Sequence, residues 1–469
     1  MASLLIYKRT YQDRRVLLGQ VQNNEFHLKY VYYEIFLFRS FFRLMRRAGY
    51  ESLVDMSVVM DFFNKICCVA IFKFLFLGFG LASCLHANDS AIILGPIEGE
   101  LAKKQIPIDL GRTPKALIPL VSKPIYLHGG LRLATEKESQ FSATFGSAGL
   151  NKIQVSITRG NPKSSFSEYT VSSSSLESAV FLACDRLVLE LLKIPGFFSG
   201  RLSYISDVSR AKEILISDAL MTYARPQTSF GKIAFNPSWN NSGAGIFFTS
   251  NRKVFNNVYH LDLATRKVAT VANYKGSNLC AVQNPRSSQT ALILSTSGNP
   301  ELWLAGAPYE RPRRVTKNKS NESGPCWSPD GRRLILTSDS RGKPQLYEVS
   351  LSSGVLSRIP TNVSSHCVEA AWNPLDSSKI AFTAAVGGGF QIFEYDFSKR
   401  TSRMITRGRD HAMQPCWAND GRHLFFTSRS SGGATRIMLV DTEFEEATPI
   451  SLHDRSFGNC SQPSFFYYR

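Results

Sequence analysis

Short motifs that announce a catalytic centre are missing from this chain of 469 residues. There is no Gly-x-Ser-x-Gly, which removes the nucleophile elbow of serine hydrolases, no His-Glu-x-x-His, which removes the helical zinc protease site, and no Gly-x-x-x-x-Gly-Lys, which removes a phosphate-cradling loop. Acidic residues are scarce. Asp and Glu total 37 against 55 Lys and Arg, a formal net charge of +18. The cations are scattered through loop-like stretches, so the charge does not by itself argue for nucleic acid; a solvated basic surface is expected, with a face for an acidic partner as the alternative. Cysteine is sparse as well. Of nine cysteines, the six beyond residue 87, Cys184, Cys280, Cys326, Cys367, Cys416 and Cys460, contain no Cys-x-x-Cys, so neither a zinc ribbon nor a disulfide framework is implied and buried thiols are expected.

What is present is a repeat. Gly324 to Asp339 contains Pro-Cys-Trp-Ser-Pro-Asp-Gly, a tight turn followed at once by the β-rich run Leu334 to Thr337. Pro415 to Ser428 repeats it with nearly every landmark kept. Further copies surround Trp372 and Trp239, and degenerate ones surround Gln283 and Phe465. Marker positions 239, 283, 327, 372, 417 and 465 lie 44, 44, 45, 45 and 48 residues apart. A period of that length filled with short strands indicates propeller blades of four strands. Within one unit, Gln345 to Val349 and Leu356 to Ile359 supply the later strands, and Gln391 to Asp396 with Ser402 to Thr406 repeat them. Five inter-marker units, plus one blade shared by Leu202 onward and the final Pro463 to Tyr468, predict six blades closed by the two ends of the repeat region. Cys326 and Cys416 then fall in separate blades. Ser338 to Gly342 resembles a fragment of a calcium loop, but a hairpin turn accounts for it.

Ahead of the ring, residues 88 to 200 predict a small α/β domain. Gln105 to Leu110, Ala116 to Leu120 and Ile153 to Thr158 read as strands. Ser175 to Lys193 reads as a helix, capped by Ser174 with Glu177, striped by Val180, Cys184, Leu187 and Leu191, and ended by Pro195-Gly196. The fold class is thus mainly β: a six-bladed propeller over 201–469 preceded by an α/β domain.

Two sets of residues carry a family resemblance. Trp-Ser-Pro-Asp-Gly-Arg-Arg-Leu-Ile-Leu-Thr-Ser-Asp, followed by Gln-Leu-Tyr-Glu-Val, looks like the repeat of the TolB family. Ile108 to Leu120, the helix with Ala183-Cys184-Asp185-Arg186-Leu187, and Gly200 to Ile205 with Glu213 to Asp218 resemble that family's amino-terminal domain and its passage into the first blade. The resemblance covers about residues 88 to 469. It implies a periplasmic, peripheral, monomeric protein of the Tol-Pal cell-envelope system that takes part in outer-membrane integrity, cell division and protein import. It implies no reaction and no cofactor, with the lipoprotein Pal and TolA as partners.

Residues 1–59 interleave basic and aromatic residues and contain no repeat, so they are expected to be a non-native or cytoplasmic extension, with translation starting at Met56 or Met60 as the favoured reading. Residues 60–87 read as a signal peptide, with Lys65 and Lys73 before the apolar Phe74 to Leu81. Cleavage after Ala87 is favoured by the implied soluble product. Leu81-Ala-Ser-Cys84 fits a lipoprotein signal, and Ile66 to Leu85 as a single anchor is the remaining reading.

In the family the Pal-binding face is formed by loops leading into the Pro-x-Trp strand. On this sequence those positions are Ser277 and Asn278; Asn321, Glu322 and Ser323; His366 and Glu369; and Asp410, His411 and Gln414. Gly324 stands where the family has an acidic residue. Asn88 to Gly99 corresponds to the TolA-contact segment. His366, His411 and His423 fall in or beside different blade units, where convergence at a channel mouth would make a metal site; solvated loop histidines are the plainer reading, and no metal or catalytic residue is assigned. The rival function is a propeller lyase or hydrolase acting on a saccharide or peptide in the central funnel. With the chain ending at the expected ring closure, no hydrolase domain is expected after it.

Overall fold

The computed structural model describes residues 105–160, 162–444, 448–453 and 455–468. The expectations for residues 1–59, for the signal peptide at 60–87 and for the Asn88 to Gly99 segment lie outside these. No helix among the described residues is long and apolar enough to cross a membrane.

Six four-stranded antiparallel sheets follow one another around a ring. Blade I spans 234–272, blade II 278–314, blade III 322–358, blade IV 367–404 and blade V 411–451; blade VI takes its innermost strand, Cys460–Phe466, from the end of the chain and its other three from 201–226. This is the closure expected from the degenerate copy at Phe465. Cys460 pairs with Ser206 and Phe466 with Arg201, so the sheet ladder itself joins the two ends.

The repeat works because its landmarks bind the neighbouring blade. The turn at Pro329-Asp330-Gly331 closes through the Gly331 N–H on the Ser328 carbonyl at 2.8 Å, with Gly331 at φ +70°. Asn284 of blade II donates through Nδ2 to the Gly331 carbonyl at 2.7 Å, and Asn373 of blade IV does the same to Gly421 of blade V. A Cβ on Gly331 would come within 2.2 Å of the Asn284 amide oxygen, so glycine is required by both dihedral and contact.

Every innermost strand carries a bulge three residues before its marker. Asn236, Cys280, Gly324, Glu369, Gln414 and Gln462 all have φ between 37° and 57°, and the pairing register slips at each of them. A recurring bulge of this kind re-aims one side chain per blade.

The amino-terminal domain is a five-stranded sheet of order β2-β1-β3-β4-β5 with β1 Ile106–Asp109, β2 Leu131–Leu133, β3 Phe141–Ser147, β4 Lys152–Arg159 and β5 Ser164–Ser172. Helices α1, Ile118–Leu127, and α2, Leu176–Leu192, complete it. In β4, Ile153, Val155 and Ile157 alternate into the core as expected, and the α2 stripe Val180, Cys184, Leu187 and Leu191 is buried.

Two local expectations are corrected. Ala116 to Leu120 does not form a strand but leads into α1, because Pro119 in the first helical turn needs no N–H partner and Val121 and Ile125 share a buried face at helical spacing. A five-residue apolar run is too short to show which period it follows. The α2 cap is Ser175, one residue later than expected, and its hydroxyl accepts from the Ser178 N–H at 3.1 Å; Glu177 then sits too early in the turn to complete a capping box and faces the helix dipole instead.

All six described cysteines are free. Cys326 and Cys416 lie on the innermost strands of blades III and V, and burial pushes both thiols up, to about 11 and about 12.

Candidate functional face

Within each blade the strands alternate in direction, so the connections from one blade into the next and the hairpin between the second and third strands lie at the same end of the ring. Backbone bonds tie these connections together, as in Ser295 N–H to Ser277 at 2.9 Å, Asp339 N–H to Asn321 at 3.4 Å and Ala385 N–H to His366 at 3.0 Å. All ten sequence-assigned residues lie in or just beyond these connections. The opposite end meets the amino-terminal domain, where Asn419 Nδ2 donates to the Gly196 carbonyl at 2.8 Å and Tyr467 donates to Asp185 at 3.1 Å.

The ten residues divide by what their side chains do. Asn278 is buried, donating to the Asn256, Tyr274 and Gly276 carbonyls while accepting from the Tyr274 N–H, so it builds the turn. Glu322 is also buried, accepting from Thr316, Asn318 and Ser338, and burial raises its carboxyl against the pull of those bonds. Glu369 and Gln414 sit at the bulge positions and link blades. The Glu369 carboxylate accepts from the Gln414 N–H at 3.0 Å, the Gln414 amide oxygen accepts from the Gln462 N–H at 3.2 Å, and the Gln462 amide oxygen accepts from the Asn236 N–H at 2.6 Å. Burial raises the Glu369 carboxyl, offset in part by Thr383 and that N–H. Gly324, at φ +56°, breaks this run of links for want of a side chain, and a Cβ there would meet nothing within 4 Å, so there is space for the acidic residue expected from the resemblance.

Asn321, Ser323 and Asp410 are exposed, and Ser277, His366 and His411 are half-buried. Asn321 is held by Asp339, which accepts from its N–H and Nδ2 at 2.8 Å each; the calcium-loop resemblance at Asp339 is thereby a hairpin turn, closed by Gly342 N–H on the Asp339 carbonyl. His366 and His411 are brought together by a residue that sequence reasoning missed. Phe390 lies between them, edge-on to His366 at 5.5 Å and tilted against His411 at 5.8 Å, and its N–H donates to His411 Nδ1 at 3.2 Å. The Gly387-Gly388-Gly389 run before Phe390 was the available signal, since it marks a hairpin tip.

His423 does not join them. It is buried at the opposite end, its Nδ1 at 2.6 Å from Asp420 Oδ2 and its ring 4.8 Å from that of His128. His128, Asp420 and His423 each place one possible ligand atom within 4.8 Å of the others, but the Asp420 carboxylate is engaged by His423 Nδ1 and His128 Nδ1 accepts from the Gly130 N–H.

Exposed cations occur at both ends of the ring, with Arg266, Lys267, Arg286, Arg332, Lys399 and Arg400 on hairpins of the opposite end, and one group shares the candidate face. Exposed Arg210, Lys212, Lys232, Arg252, Lys253 and Lys275 from the connections of blades VI and I, followed by Lys317, Lys319, Arg341, Lys343, Arg409 and Arg429, all fall on the candidate face. Among the described residues of these connections Asp410 is the one exposed acid. A blade repeat brings loops some 20 to 45 positions apart onto one rim, which a linear reading cannot register.

Comparison with known proteins places the chain. Residues 189–465 match the family model described as the TolB beta propeller domain. A "Tol-Pal system protein TolB" from Bordetella pertussis is 26% identical over 171 residues, 36% of this chain and 39% of that protein, and one from Francisella tularensis subsp. tularensis is 25% identical over 286 residues, 58% of this chain and 64% of that protein. The chain therefore spans less than two thirds of the length of the curated relatives it matches. The crystal structure of TolB from Acinetobacter baumannii superposes with a TM-score of 0.67 at 17% identity, over 77% of this chain and 96% of that one, which supports the fold.

Proposed function

The chain belongs to the TolB beta propeller family, and from that membership we propose that it is a periplasmic, non-enzymatic protein-binding component of the Tol-Pal cell-envelope system. In this reading it docks the lipoprotein Pal on the candidate face, contacts TolA through residues 88–99, and supports outer-membrane integrity and cell division. The mature protein starts near Asn88 after removal of 60–87 and acts as a monomer peripheral to the outer membrane. The observation that carries the proposal is the gathering of Ser277, Asn321, Ser323, His366, Asp410 and His411 at one end of a rigid ring whose other end meets the amino-terminal domain. Loops held by a stiff scaffold are where binding is built at low ordering cost.

The test is capture of the full chain by Pal from the same cell. Binding at micromolar concentrations or tighter is expected, and Phe390→Ala should weaken it about tenfold, the order of effect for an aromatic anchor at an interface. A folded chain that fails to bind Pal would remove the reading.

A further inference from the structure

We propose that the arc of the candidate face across blades VI, I and II is a docking surface for an acidic protein partner, which seats an apolar residue against the hairpin tip at Val254 and Phe255. This rests on the reading that the face binds Pal, and it names the chemistry that Pal must present.

Exposed apolar side chains cluster on this arc. Val208 is 51% exposed, Ile233 46%, Val254 83%, Phe255 70% and Tyr274 36%, and they occupy two hairpins and two inter-blade loops that are neighbours around the ring. Asn251 N–H bonds the Ile233 carbonyl at 3.3 Å, tying two of those segments together. Val254 is held at φ +78°, a conformation a β-branched residue resists, and the result is an apolar tip directed away from any core. Apolar side chains grouped in this way on an otherwise polar surface mark an interaction site.

The same segments carry Arg210, Lys212, Lys232, Arg252, Lys253 and Lys275, and among the described residues none of these has a carboxylate within ion-pair distance. The nearby acids are otherwise engaged. Asp207 accepts from the Asn459 N–H and Nδ2, and Asp339 from Asn321. Arg252 is steadied by stacking at 4.2 Å on Phe230 and 5.5 Å on Tyr259, so its charge is presented from a fixed position. Unpaired cations around an apolar centre attract a surface of opposite sign and speed its encounter.

An anionic bilayer would use the same charge, but the apolar tips are confined to one side of the ring while the cations continue through blades II, III and V. A flat membrane would meet hydrocarbon-seeking side chains on one flank only. An aromatic and apolar centre inside a charged rim is the composition of a protein interface.

The experiment measures the dissociation constant of immobilised Pal with the full chain at about 50 and about 300 mM NaCl, since screening acts over about a Debye length. Three forms are compared: the unaltered chain, Lys232→Glu/Lys253→Glu/Lys275→Glu, and Val254→Ser/Phe255→Ser, each checked for native circular dichroism. The unaltered chain should weaken about tenfold or more with salt. The charge-reversed form should bind on the order of a hundredfold more weakly at low salt and lose most of its salt dependence. The Val254/Phe255 variant should weaken at both salts with its salt dependence kept. Pal binding that ignores salt and both variants would overturn the inference while leaving the proposed function standing. Binding of phosphatidylglycerol vesicles that both variants abolish, with Pal binding unchanged, would overturn it in favour of a lipid surface. Failure of the folded, unaltered chain to bind Pal at either salt would remove the proposed function and this inference with it.

Discussion

The Trp327 indole donates through Nε1 to the Val282 carbonyl at 3.1 Å, and Val282 stands one residue before the marker position of the preceding blade. Trp239 makes the same bond to Ser464 at 2.9 Å and Trp417 to Ala371 at 3.1 Å. The marker is therefore a staple between blades as well as a core residue. Trp372 departs from this rule, donating to Ser377 of its own blade at 2.9 Å.

Truncating Trp327 to Ala should destabilise the fold by about 3–5 kcal/mol, as for a large buried aromatic. Trp327→Phe should cost less, with a part of about 1 kcal/mol traceable to the unpaired Val282 carbonyl. Because the Trp372 bond stays within one blade, hydrogen exchange in Trp372→Phe should rise in blade IV alone, whereas Trp327→Phe should loosen blades II and III together. Chemical denaturation and exchange measurements check both.

Gln414→Ala should destabilise the ring by roughly 1 kcal/mol, because the Thr427 hydroxyl loses its acceptor at a half-buried bulge while the Gln462 N–H keeps the Thr427 hydroxyl oxygen at 3.0 Å. Gly324→Asp, by contrast, places a side chain in open space, and its cost should be limited to the positive φ that aspartate tolerates better than most residues. A Gly324→Asp loss as large as that of Gln414→Ala would show that the position is crowded.

Asp185 accepts from the Phe198 and Ser199 N–H groups, the Ser199 hydroxyl and Tyr467, yet burial raises its carboxyl to about 6. A raised carboxylate pKa means the folded chain holds a proton that the unfolded chain releases. Its contribution to stability is full below the unfolded value of 3.8 and is lost as pH rises through about 6. Asp185→Asn should remove that slope between about pH 4 and 6. Asp185→Ala should destabilise by about 2–4 kcal/mol at any pH, since several buried donors lose their partner.

His128 has the opposite sign. Burial first, and the charges of His423 and Arg422 next, hold its imidazole well below 6.5. The unfolded chain takes up a proton there that the folded one refuses, so the stability it contributes is present above pH 6.5 and lost as pH falls below it, by up to about 1.4 kcal/mol per pH unit. Because Asp185 adds stability as pH falls through about 6, the check is a difference: between pH 7 and 5 the wild-type melting temperature should fall relative to that of His128→Gln, and parallel curves for the two proteins would contradict the assignment.

Much of the fold was legible because a repeat writes its own period. Pro-Asp-Gly turns, Trp markers and alternating strands recur every 44 to 48 residues, and turn chemistry and side-chain alternation are local properties that need no distant partner to be read. The ring closure was legible for the same reason, since Phe465 occupies a marker place. The α1 segment was misread because five apolar residues do not reveal a period, and only packing against α2 and the sheet decides it.

The candidate face was legible as a set of loops and illegible as a surface. The family resemblance assigned Asn278, Glu322, Glu369 and Gln414 alongside Ser277, His366 and His411, but the burial of Asn278 and Glu322 and the hydrogen bonds between blades of Glu369 and Gln414 assign these four to holding the ring together. Phe390 between His366 and His411, and the cationic arc around Val254 and Phe255, arise only when hairpins from different blades are brought to one rim. By itself the sequence determined that six like units close on one another, because period and turn residues are encoded locally. Which side chains remain free at the rim was decided by the tertiary structure, because it depends on which neighbouring donor or acceptor each one meets.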